Sequence, residues 1–178
     1  MGGYSSFPIC IAAKILGIPF IIYENNLHIG KANKFLLPFA KKAFVSHLEL
    51  EGVSNKYRNK LTKIGNIIRK EIINFQEVNN VWDEKIKVLI LGGSQAAKVF
   101  GEKLPLIFKE CLDFKIPLKI YQQCLPEQNE VLSSAYKQLG LDYEIFNFNN
   151  NIFEYFSKIN LAITRSGSSM LAELINAA

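Results

Sequence analysis

The stretch Lys87–Leu91 (Lys-Val-Leu-Ile-Leu) runs directly into the turn 92–95 (Gly-Gly-Ser-Gln). A short apolar run bounded by glycine predicts a buried β-strand, and the small residues after it predict a tight turn at the start of a helix. The N–H groups of a first helical turn have no partners within the helix, and the helix dipole adds positive charge there. Because glycine also lets a ligand approach the backbone closely, this turn is suited to holding a phosphate.

A second segment of the same design begins about 70 residues further along the chain. The run Leu161–Thr164 predicts another strand, the turn 165–168 (Arg-Ser-Gly-Ser) follows it, and Glu173 lies on the helix predicted to come next. A carboxylate can accept hydrogen bonds from both hydroxyls of a ribose. Two such turns in one parallel sheet therefore predict a nucleotide site, with phosphate at one turn and the ribose on the acid.

The rest of the chain alternates short apolar runs with segments of 3.6-residue periodicity, which predicts an α/β fold with mostly parallel sheets. The predicted strands are residues 18–23, 43–46, 61–64, 86–91, 118–122, 143–146 and 161–164. The predicted helices are residues 8–16, 32–42, 97–112 and 127–139, a short helix after Asn151 and a helix from Ser168, with a loop predicted at 71–83.

The segment 65–69 predicts a crossing between two units, so the expected domains are residues 1–66 and residues 67–178. The chain opens on a glycine turn with no strand before it and closes inside a predicted helix. A doubly wound sheet without its outer strands leaves unpaired edges. We therefore expect both α/β units to be incomplete and the chain to be part of a longer protein.

Composition narrows the class of ligand. The net charge is +5, from 21 Lys and Arg against 16 Asp and Glu. This mildly basic balance fits an anionic ligand or membrane surface, but it is too diffuse to predict a nucleic-acid partner. The three cysteines are an odd number without C-x-x-C spacing, and there are two histidines. These counts argue against a disulfide framework and against a metal site, and they favour a reducing compartment.

Five short motifs follow one another along the chain. They are Gly2-Gly3-Tyr4-Ser5-Ser6-Phe7-Pro8, Tyr23-Glu24-Asn25-Asn26 with Asn33-Lys34, Gly65-Asn66-Ile67-Ile68-Arg69, Gly92-Gly93-Ser94-Gln95-Ala96-Ala97, and Arg165-Ser166-Gly167-Ser168 with Glu173. In order and spacing they resemble the peptidoglycan N-acetylglucosaminyltransferases of glycosyltransferase family 28, which have the two-domain GT-B fold. The resemblance covers the whole chain.

The chain departs from the family pattern at several positions. Tyr23 stands where the family has a histidine, Phe7 replaces a glycine, and the segment 122–125 keeps only the glutamine of an H-Q-x-G motif. The family's first phosphate loop and its sugar-binding glutamines have no counterpart in the sequence. The resemblance thus implies the second half of an acceptor domain and the first part of a donor domain, and residues 1–178 alone are expected to transfer no sugar.

The resemblance implies inverting transfer of GlcNAc from UDP-GlcNAc to undecaprenyl-diphospho-muramoyl-pentapeptide, without a metal or cofactor. It also implies a peripheral protein at the cytoplasmic face of the bacterial inner membrane. The implied donor-binding residues are Arg69, Gly93, Ser94, Gln95, Phe148, Asn149, Arg165, Ser168, Ser169 and Glu173. The implied acceptor-binding residues are Gly3, Tyr4, Ser5, Glu24, Asn25, Asn26 and Asn33. Among these, Glu24 is the candidate catalytic residue, as a base or as a positioning group.

Several alternatives stay open at this point. Phe148 and Asn149 would face uracil through backbone groups and ring contact, or the aromatic ring would only cap the sheet. The segment 34–42 mixes apolar and basic residues, as in an ordinary helix packed on a sheet or in a surface that touches anionic lipid. A second hypothesis is that the chain is a truncated, catalytically inactive remnant of that enzyme, which retains at most weak UDP binding. A dinucleotide-dependent oxidoreductase is disfavoured, because no G-x-G-x-x-G follows a predicted strand.

Overall fold

The computed structural model describes residues 6–73, 84–149 and 151–177, and it describes no side chains at 93–97. The chain divides into two compact units, Met1–Ile68 and Arg69–Ala178. Each unit contains a parallel β-sheet with helices connecting its strands.

The first unit holds a three-stranded sheet. Its elements are α1 (Phe7–Ile15), β1 (Ile21–Glu24), α2 (Lys31–Leu36), β2 (Lys42–Val45), a 3₁₀-helix (Asn55–Lys60) and β3 (Leu61–Lys63). The central strand β2 pairs in parallel with β1 and with β3. Alternate residues of β1 and β2 are buried, and Ile22, Ala43 and Val45 pack against Leu36 and Leu37 in one core. This is the pattern of a sheet with one face covered by helices.

The helix predicted at 32–42 is shorter than expected, because α2 ends at Leu36. Pro38 lies two residues later, and proline lacks the N–H group that a continuing helix would need. The ammonium group of Lys60 donates to three carbonyl groups of the turn that follows, those of Leu37, Pro38 and Ala40, at 3.3, 2.8 and 2.8 Å. A distant lysine therefore satisfies carbonyls that helical N–H groups would otherwise bind.

The second unit holds a four-stranded parallel sheet with the strand order β6-β5-β4-β7. Its elements are α3 (Lys70–Ile73), β4 (Ile86–Leu91), α4 (Gly93–Asp113), β5 (Leu118–Gln123), a 3₁₀-helix (Pro126–Gln128), α5 (Asn129–Gln138), β6 (Asp142–Phe146), α6 (Phe153–Phe156), β7 (Leu161–Thr164) and α7 (Ser168–Ala177). Val88, Ile90 and Ile120 of the strands pack with Phe108 of α4 and Tyr136 of α5 in its core.

The order of these strands indicates where the sheet has a crevice for a ligand. From β4 the chain moves outward through β5 to β6, and it then returns to the other side of β4 to form β7. Connections on opposite sides of a strand leave an opening at the carboxyl end, which is where open α/β sheets bind ligands. In this unit the opening lies between β4 and β7.

The strands predicted at 86–91 and 161–164 and the helix predicted from Ser168 are confirmed at those bounds. Gly92 and Gly167 lie between a strand and a helix, as expected, whereas Gly2 lies outside the described residues. The start of α4 at Gly93 was predicted four residues too late, since glycine and serine have low helix propensity and favour a later start.

Two smaller differences concern element ends. The strand predicted from residue 18 begins at Ile21, because Gly17 has a positive φ of 68° and the Ile18 N–H bonds back to the Ala13 carbonyl at 2.8 Å, so the helix end occupies those residues. Residues 71–73, predicted as loop, belong to the short helix α3. The buried Ile72 gives this segment a tertiary anchor that its local sequence does not reveal.

Candidate functional site

A cleft of about 490 Å³ opens at the carboxyl ends of β4, β5 and β7. Leu91 and Gly92 line one side, residues 164–167 line the other, and Gln123 and Met170 complete the wall. Leu91 and Thr164, the last residues of β4 and β7, are register partners in the sheet. The two turns predicted from the sequence therefore start side by side and share one cleft.

Two helices begin at this cleft. Gly93, Ser94 and Gln95 form the first turn of α4, which is 21 residues long, and Ser168 and Ser169 begin α7. The N–H groups of these first turns have no intrahelical acceptor, and both helix dipoles put positive charge at this end. The exposed side chain of Arg165 adds a full positive charge to the lining. The cleft is thus suited to a polyanion such as a diphosphate.

Gly167 leaves room in the turn before α7. A Cβ atom at this position would meet no atom within 4 Å, so the fold accommodates alanine here. It would, however, occupy space in the cleft wall. We expect Gly167→Ala to weaken binding of UDP about fivefold, which corresponds to about 1 kcal/mol, while the free energy of unfolding changes by less than about 1 kcal/mol. Calorimetric titration together with urea unfolding tests this, and unchanged affinity would place the phosphates elsewhere.

Glu173, the predicted ribose acceptor, has a partner within the same unit. Arg69 donates from Nε to Oε1 at 2.9 Å and from Nη2 to Oε2 at 2.7 Å. The side chain of Glu173 is 11% exposed and that of Arg69 is 39% exposed. The hydrogen bond to Glu173 raises the pKa of Arg69 above its ordinary value. Two predicted donor-binding residues, 104 positions apart, are therefore brought into direct contact.

The loop after β6 carries Phe148 and Asn149. Phe148 is 79% exposed, so it does not cap the sheet. The Asn149 side chain accepts from the Asn151 N–H at 2.8 Å and so shapes the loop. Asn147 and Asn129 exchange amide hydrogen bonds at 2.9 and 3.2 Å, which ties the loop to the start of α5. An exposed aromatic on an anchored loop is available to a ligand's base.

The sequence does not distinguish the roles of the two glutamines that end β5, Gln122 and Gln123. Gln122 is fully buried and accepts a hydrogen bond from the Tyr136 hydroxyl, whereas Gln123 lines the cleft. Adjacent residues of a strand face opposite sides of the sheet, so only one of the two can reach a given surface. Met170 was also missed, since an apolar residue in an amphipathic helix predicts only packing.

The first unit holds a buried polar cluster around Glu24. Its Oε1 accepts from the N–H and the side-chain amide of Asn26, at 3.2 and 2.8 Å. Its Oε2 accepts from the Gly30 N–H at 2.9 Å and from Asn33 Nδ2 at 3.0 Å. Asn25 follows directly and is half-buried. With four donors on one carboxylate, Glu24 organises the loop that leads from β1 into α2.

We expect Glu24→Gln to lower the free energy of unfolding by about 1–3 kcal/mol, the cost of leaving buried donors without an acceptor. The amide group would face N–H donors that now meet a carboxylate oxygen. Urea unfolding followed by circular dichroism measures the change. Glu49→Gln is the matched control, because that side chain is exposed. If the two variants are equally stable, the hydrogen bonds of Glu24 do not hold the loop.

Tyr23, at the histidine position of the family, also bonds within the first unit. Its hydroxyl lies 3.2 Å from the Gly65 carbonyl and accepts from the Ile67 N–H at 3.2 Å. It therefore holds the segment after β3 against the end of β1.

The predicted acceptor residues Gly3, Tyr4 and Ser5 lie outside the described residues, and so do the side chains of Ser94 and Gln95. Within the described ranges, no three His, Cys, Asp or Glu side chains are grouped closely enough to hold a metal ion.

Two domains of one protein family match this chain. Residues 87–178 match the glycosyltransferase family 28 C-terminal domain, which is more than half of the 178 residues. The chain belongs to glycosyltransferase family 28. Residues 1–45 match the N-terminal domain of the same family. The family resemblance drawn from the five motifs is thereby confirmed.

Curated relatives of the family 28 chain share one name, UDP-N-acetylglucosamine–N-acetylmuramyl-(pentapeptide) pyrophosphoryl-undecaprenol N-acetylglucosamine transferase. The Pelagibacter ubique protein is 37% identical over 174 residues, covering 97% of this chain and 48% of the relative. The Rickettsia canadensis protein is 34% identical over 176 residues, covering 97% of this chain and 50% of the relative. The chain thus spans about half the length of the curated relatives it matches.

Among solved structures, the crystal structure of Acinetobacter baumannii MurG is similar to this chain. The TM-score is 0.66 at 28% sequence identity, over 94% of this chain and 46% of that chain. This likeness confirms the predicted α/β fold of the GT-B type with two parallel-sheet units.

Proposed function

We propose that this chain carries the donor site and part of the acceptor site of an enzyme that transfers GlcNAc from UDP-GlcNAc to undecaprenyl-diphospho-muramoyl-pentapeptide. The observation that carries the proposal is the cleft between β4 and β7, where two helix N-termini and Arg165 meet. The substrates are taken from the name shared by the Pelagibacter and Rickettsia relatives.

In the proposed reaction, a hydroxyl of the muramoyl sugar attacks the anomeric carbon of GlcNAc with inversion. The bond from that carbon to the diphosphate breaks, UDP leaves with the bonding electrons, and the proton of the attacking hydroxyl is released to the solvent. The N–H groups at the starts of α4 and α7, the charge of Arg165 and the hydroxyl of Ser94 stabilise the negative charge that develops on the diphosphate. Such groups act strongly because they are already oriented before the reaction begins.

The nucleoside end of UDP-GlcNAc would lie along α7 and the loop after β6. Glu173 accepts from the ribose hydroxyls, and Ser168 and Ser169 lie one helical turn or more before it on α7. Phe148 and the backbone of Asn149 contact uracil. Phe148 is exposed, so stacking on a base would remove apolar surface from water.

The acceptor side is assigned to the loop that Glu24 organises, together with Gly3, Tyr4 and Ser5. Since the Glu24 carboxylate is buried and holds four donors, its proposed role is to position Asn25, Asn26 and Asn33 rather than to remove the proton of the acceptor hydroxyl. A carboxylate occupied in this way would have to break the loop in order to act as a base.

We further propose that the first unit binds the anionic surface of the inner membrane from the cytoplasm. The proposed patch consists of exposed apolar and basic residues from two stretches of the chain. The first is α1 with the residue after it (Ile9, Lys14, Ile15 and Leu16), and the second is α2 with the residues after it (Lys34, Phe35, Phe39 and Lys41). The ring centres of Phe35 and Phe39 lie 6.1 Å apart. Lys14 Nζ lies 5.7 Å from the Phe39 ring centre. Exposed apolar side chains together with lysines suit a headgroup region with anionic lipid. In the described part of the chain, no helix has both the length and the apolar character to span a bilayer.

Vesicle binding tests this patch. The double variant Lys14→Glu with Lys34→Glu should lose at least roughly tenfold in affinity for phosphatidylglycerol vesicles, because each lysine near such a surface contributes about 1 kcal/mol. Lys109→Glu with Lys137→Glu makes the same change of net charge on exposed residues of the second unit. Equal losses in both double variants would show a general charge effect and would remove the patch from the proposal.

Two experiments test the transferase itself. The 178-residue chain should bind UDP and UDP-GlcNAc in saturable fashion and prefer them to ADP; the absence of a preference would contradict the donor site. A chimera of Acinetobacter baumannii MurG, with its matching segment replaced by this chain, should transfer labelled GlcNAc to a lipid-linked muramoyl acceptor. A folded chimera that binds UDP-GlcNAc but does not transfer it would favour an inactive remnant.

A further inference from the structure

The first residues of the second unit are hydrogen-bonded to α7, the helix that carries Glu173, the proposed ribose-binding acid. Arg69 holds Glu173 through two hydrogen bonds, and Asn176 donates from Nδ2 to the Ile72 carbonyl at 3.1 Å. Ile72 itself is fully buried. A segment distant in sequence thus contacts α7 through the paired hydrogen bonds of Arg69 and through a hydrogen bond from a side-chain amide to a backbone carbonyl, next to a buried isoleucine.

The paired hydrogen bonds of Arg69 determine how Glu173 can be used. A planar guanidinium that donates to both carboxylate oxygens fixes the plane of the carboxylate as well as its position. An ionised carboxylate has about four acceptor sites, and Arg69 takes one on each oxygen. One further site on each oxygen remains, which matches the number of hydroxyls in a ribose 2′,3′-diol. The side chain of Glu173 is only 11% exposed, so a diol can approach from few directions.

We propose that Arg69 is a positioning residue for ribose recognition, which acts on the nucleotide through Glu173 rather than on the diphosphate directly. It holds the carboxylate in the one orientation in which both remaining acceptor sites meet the 2′ and 3′ hydroxyls. The inference rests on the proposed donor site, and it gives the salt bridge a role in selecting ribonucleotides.

The experiment compares UDP with 2′,3′-dideoxyuridine 5′-diphosphate, which lacks both hydroxyls, by calorimetric titration of the 178-residue chain. The unaltered chain should bind UDP at least roughly tenfold more tightly than the dideoxy compound, as expected for hydrogen bonds to a charged group. In Arg69→Met this ratio should fall to within about threefold of one, while affinity for the dideoxy compound is unchanged. Arg69→Lys, which can donate to one oxygen at a time, should give an intermediate ratio and carries the test if Arg69→Met does not fold.

Asn176→Ala is the matched control, because it removes the hydrogen bond to the Ile72 carbonyl and leaves the Glu173 carboxylate unchanged. The ratio of its affinities for UDP and the dideoxy compound should equal that of the unaltered chain. Equal losses for both ligands in Arg69→Met would assign Arg69 to the diphosphate and overturn the proposal. Tighter UDP binding in that variant would show that Arg69 competes with the ribose, which also overturns it, as would an unchanged ratio in Arg69→Lys. If the unaltered chain binds both ligands equally, the inference fails while the donor site stands; if it binds neither, the donor site fails first.

Discussion

Replacing Glu173 with glutamine should weaken binding of UDP to this chain at least roughly tenfold, since hydrogen bonds to a charged group contribute about 1.5–3 kcal/mol each. Glutamine keeps the shape of the side chain but offers one uncharged acceptor oxygen. Its amide nitrogen donates hydrogen bonds, so it cannot accept one from the guanidinium of Arg69 or from a ribose hydroxyl. Calorimetric titration with UDP measures the loss.

Glu130→Gln provides the control for this substitution. It makes the same chemical change at an exposed position on α5, away from the cleft lining, and should leave UDP affinity unchanged. The loss in Glu173→Gln should disappear when the ligand is the dideoxy compound. If Glu173→Gln binds UDP as tightly as the unaltered chain, Glu173 does not hold the ribose.

Replacing Arg165 with methionine should weaken UDP binding roughly tenfold by removing a charge-assisted hydrogen bond. The side chain is exposed at the mouth of the cleft, so the fold should tolerate the change, and circular dichroism melting should show an unaltered transition. Since the interaction is proposed to be with phosphate, binding of uridine, which carries no phosphate, should not change.

Arg165→Lys separates charge from geometry. Lysine keeps the charge but cannot form the paired hydrogen bonds of a guanidinium, and it should recover part of the lost affinity. The effect of both variants should shrink as salt is raised, because exposed charges are screened. A loss of affinity that is the same for UDP and uridine would place Arg165 against the nucleoside instead.

The sequence alone predicts most of the second unit's local structure. An apolar run such as residues 88–91 is buried within its strand, and the glycine turns that follow the strands end them at definite residues. The spacing of apolar residues likewise predicts the helices, apart from their ends. At those ends the competing factors are long-range: the lysine that caps the turn after α2, and the strand–helix connection through Gly92 that begins α4 earlier than propensity suggests.

The candidate site was predictable as a set of residue types, because phosphate, ribose and base each require a recognisable chemical group. The hydrogen-bond partners of these residues within the fold were not predictable. The sequence shows Glu24 and Glu173 as acids at the ends of apolar patterns, and nothing local distinguishes a free carboxylate from one that already holds hydrogen-bond donors.

What the sequence by itself determined is therefore the alternation of strands and helices, the two turns, and the family to which they belong. Only the tertiary structure decided that β7 returns beside β4, that Gln123 rather than Gln122 reaches the cleft, and that Arg69 holds Glu173. The physical reason is the distance along the chain over which the deciding interactions act. Periodicity and turn chemistry act over a few neighbouring residues, whereas strand order and ion pairing depend on which distant segments pack together to bury their apolar faces.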